Sequence, residues 1–211
     1  MDDSSNLLFM RGFIQPLALE RGKFGPAPRF FPEDAVRALW RLEKRTGRAS
    51  LARSLGVGEG TARTIIASLS GKGLVDSAPM GHKLTVNGAA LLSGLKEKVV
   101  AIRHVPQSRL TFGLSASAVQ LRCVRLAQGT VALRDEMVRS GARGCTALRF
   151  EKGRLVIPPF HAPTHREYSS ELSELSKLFS LEEKDLLLVA YGGDRNSTER
   201  ALWAACRLLH V

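Results

Sequence analysis

Cysteine is scarce in this chain. Three occur in 211 residues, Cys123, Cys145 and Cys206, and an odd number without paired spacing argues against a disulfide framework or a zinc knuckle. Cys123 and Cys145 sit in apolar alternating runs, which predicts buried thiols. Long hydrophobic runs are lacking too. Nothing approaches the ~20 residues that span a bilayer, and the amino terminus has neither the basic start nor the cleavage site of a signal peptide, so a cytoplasmic protein with no membrane partner is expected. No Walker loop, dinucleotide fingerprint or nucleophile elbow occurs, and no histidine stands with a carboxylate and a serine at a familiar spacing. With these motifs lacking, the expectation is a chain that is not an enzyme and carries no cofactor, although catalytic groups can also converge in space from distant positions. His161 and His165 flank Pro163, but two ligands are too few for a zinc site, and no metal is expected.

Acidic residues are short in one part of the chain. Residues 1–150 carry 23 Lys and Arg against 11 Asp and Glu, whereas residues 151–211 carry 8 against 9. A basic front and a neutral back imply a polyanionic partner for the front.

The front holds the clearest pattern. Residues 1–28 read as an arm that ends in the rigid Gly25-Pro26-Ala27-Pro28. A first helix starts near Pro32, with Glu33 and Asp34 in its first turn and Val36, Leu39, Trp40 and Leu42 on one face. A second runs from about Ala49 to Leu55 and stops at Gly56, where Val57 plugs the turn. A third spans about Glu59 to Lys72, with Ala62, Ile65, Ile66 and Leu69 as its inner stripe. A strand-turn-strand follows over 74–86, turning at Pro79-Met80-Gly81, with Leu84 and Val86 pointing inward. Asn87 is placed to cap a fourth helix over about 88–100, whose Leu91, Leu92 and Leu95 could pack on the body or on a second copy.

This order is the grammar of a winged helix-turn-helix over residues 29–100, with the third helix placed to enter the major groove of double-stranded DNA and the wing over 74–86 to lie on the backbone. Thr61, Arg63 and Thr64 stand near the amino-terminal end of that helix. Arg63 can bond both acceptors of a guanine. Thr61 and Thr64 can touch phosphate or a thymine methyl; Arg48, Arg53, Lys72 and Lys83 are the expected phosphate contacts, and His82, beside Lys83 near the wing tip, is a DNA contact or a surface group. One such domain reads too few base pairs for useful specificity, so a homodimer is expected.

A linker over 101–107 is expected before a second domain over 108–211. There Leu110, Phe112 and Leu114 alternate as a strand, followed by a strand over Val119, Leu121 and Cys123. A helix spans 130–140, a hairpin turns at Glu151-Lys152-Gly153, a helix spans 170–179, a central strand spans 186–191, and a last helix is capped by Asn196 or Ser197. The order ββαββαβα makes this a small α+β sandwich. Two places are candidates for binding a small-molecule effector. One is Asp194, Arg195, Asn196 and Ser197 at a helix amino terminus, where free N–H groups favour an anion although Asp194 opposes it. The other is Arg134 and Asp135, which with Glu136 could pair with Arg195 or Glu199, or line a pocket.

GPAPRF, LARSLGVGEGTARTIIASLSGKGLV and GHKLTVNG, followed by RDEMVRSGARGCTALRF and LFSLEEKDLLLVAYGGDRNSTERA, resemble archaeal winged-helix transcription regulators with an uncharacterised α+β carboxy-terminal domain. The resemblance covers residues 24–210 and implies a transcription regulator, with no ligand attached to the family. The back half also resembles a domain inserted in some aspartyl-tRNA synthetases and amidotransferases. That likeness keeps open an RNA- or translation-linked binding module. A second alternative, an enzyme whose winged helix is regulatory, would be favoured by a deep pocket lined by Arg134, Asp135, Asp194 and Arg195.

Overall fold

The computed structural model describes residues 30–126, 129–157 and 166–211. The 1–28 arm and the His161/His165 pair lie outside the described residues. Among those described there are seven α-helices and two antiparallel sheets, and the chain divides into two compact units that change over between Leu95 and Lys96. No helix among them is long and apolar enough to cross a membrane.

The first unit opens with α1 (Pro32–Arg41), whose residues 33–39 are all buried. Its first-turn acids are therefore not the solvated dipole partners that their position suggests. Asp34 accepts from the Phe31 N–H at 3.1 Å and, at 2.8 Å, from Arg37, which is itself fully buried and donates to the Leu55 carbonyl. Helix α2 (Arg48–Leu55) ends at Gly56, whose φ of 68° is the left-handed turn that glycine takes without penalty. Helix α3 (Glu59–Gly71) buries Ala62, Ile65, Ile66 and Leu69, the stripe that its 3.6-residue period predicts.

A hairpin of β1 (Val75–Ala78) and β2 (Gly81–Leu84) follows, and Thr46 pairs with His82 as an isolated bridge on its outer side. Helix α4 (Val86–Lys98) starts two residues earlier than expected. Its cap is Thr85, whose hydroxyl accepts from the Gly88 N–H at 3.1 Å and donates to the Gly73 carbonyl at 2.6 Å. Asn87 is thus not the cap. Val86, placed in the first turn of a helix and not in a strand, is 86% exposed. Leu92 and Leu95 are buried. A Cβ at Gly88 would lie 2.0 Å from the Leu74 carbonyl oxygen, so Gly88→Ala must push two backbone segments apart. It is expected to cost about 1–3 kcal/mol, as overpacking does; an unchanged thermal melt would show that the segments can part freely.

In the second unit the observed order is ββαββαβα, but the first two strands differ from the expected ones. Strand β3 (Val99–Val105) occupies most of the expected 101–107 linker. As an edge strand it buries only its ends, so no clean alternation marks it. The Leu110/Phe112/Leu114 alternation belongs to no strand. Ser108 and Thr111 bond each other across a single 3₁₀ turn (Arg109–Thr111), and the left-handed Phe112 and Gly113 that follow break any extended run. Strand β4 is Ser115–Leu121, so Cys123 falls beyond it with a positive φ and is exposed, not buried.

Helix α5 (Gly129–Arg139), the hairpin of β5 (Gly144–Glu151) and β6 (Arg154–Val156), α6 (Ser169–Lys177), β7 (Leu186–Gly192) and α7 (Arg195–Leu208) complete the unit. The strands lie in the order β3-β4-β7-β5-β6 with every pair antiparallel. Alternation puts Ala116, Ala118, Leu148, Leu187 and Val189 against Leu172, Leu175 and Phe179 of the α6 segment. On the other face Ser117 bonds Thr198 of α7 at 2.9 Å, and α5 packs on α7 and β5. Buried Gln120 donates to Asp185 at 2.6 Å and to the Ser180 carbonyl at 2.8 Å, tying the turn before β7 to β4.

Candidate nucleic-acid interface

The outward face of α3 is nearly bare. Gly60, Thr64, Ala67 and Gly71 recur along it at helical spacing, all exposed, and beside them stands one long cation, Arg63. Thr61 is half-buried, and the exposed Thr64 donates its hydroxyl back to the Gly60 carbonyl at 3.1 Å.

Around the amino-terminal end of α3 the fold assembles groups that are distant in sequence. Arg48 of α2 reaches Glu59 of α3 at 3.3 Å. Burial, and then the Arg48 charge, hold His82 below its ordinary 6.5, so its ring is neutral at pH 7. The His82 ring bonds Ser77 at 2.9 Å, and its backbone exchanges two 2.9 Å bonds with Thr46. Arg48, Glu59 and His82 thus form one side of the unit, with Arg63 one turn along α3 from Glu59.

The remaining predicted contacts are more scattered. Arg53 is exposed on α2, near Ser50. Lys72 caps the far end of α3, about 14 Å along the axis from Arg63 at 1.5 Å per residue. Lys83 sits opposite Asp76 in the hairpin register, and the tip itself is Met80, 84% exposed. Lys44 and Arg45 lie outside the contacts expected from the sequence, yet both are exposed immediately before the Thr46 bridge to β2. The basic run Lys44-Arg45-Thr46-Gly47-Arg48 was the available signal.

In the second unit the two effector candidates have different environments. Asp194 is itself the cap of α7: its carboxylate accepts from the N–H groups of Asn196 at 2.8 Å and Ser197 at 3.0 Å. The cap is therefore neither Asn196 nor Ser197, and the N–H groups an anion would need are already taken. Burial alone would raise the Asp194 pKa, but the bonds from Ser197 and Asn196, with Arg200 nearby, outweigh it and hold the group low. Arg134 lines a hollow of about 250 Å³ with Thr130, Val131, Cys145, Thr146 and Ala147; Asp135, Asp194 and Arg195 are not in its wall. The ion pairing of α5 falls to Glu136, which meets Arg207 of α7 at 2.8 Å and Arg139 at 3.1 Å. Burial pushes the Cys145 thiol up to about 11, so it is no thiolate at neutral pH.

A larger hollow of about 410 Å³ was missed in the sequence. It opens between α6 and the β3–β4 connection over an apolar floor of Val105, Leu110, Leu175, Leu178 and Val189. Arg109 clasps its rim, meeting Glu171 at 2.6 Å and lying 5.8 Å from the centre of the Tyr168 ring. The Arg109 hydrogen bond, chiefly, pulls the Glu171 carboxyl down to about 2.

These features define a mixed α+β protein of two units, the first exposing a nearly bare helix. Residues 32–90 match a family described as the PH0730-like N-terminal domain, and residues 115–209 match a domain of unknown function, DUF4443. Among solved structures the chain is similar to hypothetical protein PH0730 from Pyrococcus horikoshii OT3, with a TM-score of 0.73 and 21% identity over 86% of this chain and 93% of that one. That likeness is one of fold. No curated protein matches the chain.

Proposed function

We propose that the first unit is a winged helix-turn-helix and that the protein is a sequence-specific regulator of transcription, with α3 as the reader helix and β1–β2 as the wing. The observation that carries this reading is the bare face of α3. Small side chains let a helix backbone come close to base edges, and the one guanidinium in their midst supplies the bidentate contact that guanine accepts. The three helices, the hairpin and the Thr46 bridge support the winged arrangement. Phosphate contacts come from Lys44, Arg45 and Arg53, with Lys83 on the wing. Arg48 is a weaker candidate than its sequence position suggests, because Glu59 already holds it. The second unit joins two copies and senses a small molecule, for which the 410 Å³ hollow falls within the ~300–1,000 Å³ range of ligand pockets.

Titration of the full chain against labelled duplex DNA, with transfer RNA as competitor, tests the reading. Duplex binding with a steep salt dependence that outlasts excess transfer RNA is expected; preferential capture by transfer RNA would favour the RNA-linked alternative. In the same assay Lys44→Ala and Arg45→Ala should each flatten the log–log salt slope by about 0.9, with little change in sequence preference. An unaltered slope would remove those residues from the interface.

A further inference from the structure

Helix α5 buries Leu133 and Met137 and presents Val131, Arg134, Asp135 and Val138 to solvent. Val131 is 70% and Val138 42% exposed, and at seven residues apart they lie on the same face of the helix as Arg134 and Asp135. Glu136 and Arg139 pair with each other, and Glu136 also with Arg207. Among the described residues neither Arg134 nor Asp135 forms an ion pair within the chain. As sequence neighbours on a helix they cannot face each other.

The four positions share a symmetry. In an antiparallel pair of identical helices about a two-fold axis, residues equidistant from the axis on opposite sides face one another. Val131 with Val138, and Arg134 with Asp135, have the same midpoint, between positions 134 and 135. One axis therefore sets Val131 of each copy against Val138 of the other, and Arg134 of each against Asp135 of the other.

We infer that α5 is the contact between two copies of this chain, packed antiparallel about an axis crossing the helix between Arg134 and Asp135. Charge and apolar surface are satisfied together, each contact twice. The helix is 11 residues, or about 16 Å, long, so this contact alone falls short of the ~1,200–2,000 Å² of a stable interface. The pairing is accordingly weak and concentration-dependent. The inference deepens the dimer of the proposed function. Its test uses no DNA, so its failure leaves DNA binding untouched.

Sedimentation velocity of the full chain over a concentration series measures the pairing. Arg134→Asp and Asp135→Arg, each alone, place like charges across the axis and should weaken self-association at least tenfold. The double exchange R134D/D135R restores complementarity and should recover it. Both positions are exposed, so far-UV circular dichroism should show all three variants folded. Wild-type chain that stays monomeric throughout, single variants that associate as wild type does, or a folded double variant that stays monomeric would each overturn the inference.

Discussion

Arg63→Ala should weaken binding to the best duplex site by about 1–3 kcal/mol, or roughly 5- to 150-fold, and flatten preference at one base pair. The large effect follows from the emptiness around the residue. Gly60, Thr64, Ala67 and Gly71 bring little reach to the same face of α3, so few other groups there can bond a base edge. A bidentate contact discriminates because the wrong base leaves one of its donors unpaired. Binding isotherms on the preferred site and on singly substituted sites separate the two roles open to this residue. Loss concentrated on one base pair marks readout, whereas equal loss on every sequence would make Arg63 a phosphate contact.

Asp34→Ala should be a strongly damaging change to stability, about 3–5 kcal/mol, because it removes a carboxylate that the fully buried Arg37 guanidinium meets at 2.8 Å. Domains of this size have only about 5–15 kcal/mol in total, so much of the first unit's margin would go. The same carboxylate also receives the Phe31 N–H, which anchors the start of α1. Thermal melts of wild type and variant measure the loss. A melt lowered no more than by a surface substitution would show that water or a shifted side chain reaches Arg37. An ordinary helix amino terminus suggests solvated acids at these positions, so a sequence reading places the residue correctly and misses its importance.

The legible parts of the fold are those where one local signal dominates. The apolar stripe of α3, the left-handed Gly56 and the β7 run Leu186–Gly192, buried on both faces, each follow from periodicity or turn chemistry alone. The missed parts depend on partners distant in sequence. Strand β3 exists because β4 pairs with it, and its own residues carry only a weak alternation. The false strand at 110–114 alternates perfectly but is defeated by the Ser108–Thr111 turn and by two positive φ values.

The candidate site shows the same division. Arg63 and Thr61 can be placed on α3 by counting, but the capture of Arg48 by Glu59, the approach of Arg48 to His82, and the Thr46 bridge behind Lys44 and Arg45 require the folded chain. The hollow under Arg109 likewise joins residues more than 60 apart through the Glu171 ion pair.

Selection of bound sequences from a random duplex pool by the full chain tests the central claim most directly. Enrichment of an inverted repeat, with half-sites about one helical turn apart and lost from the pool selected by R63A, is the predicted result. A pool that stays random after repeated rounds, while the protein remains folded and retains duplex at low salt, would contradict sequence-specific recognition.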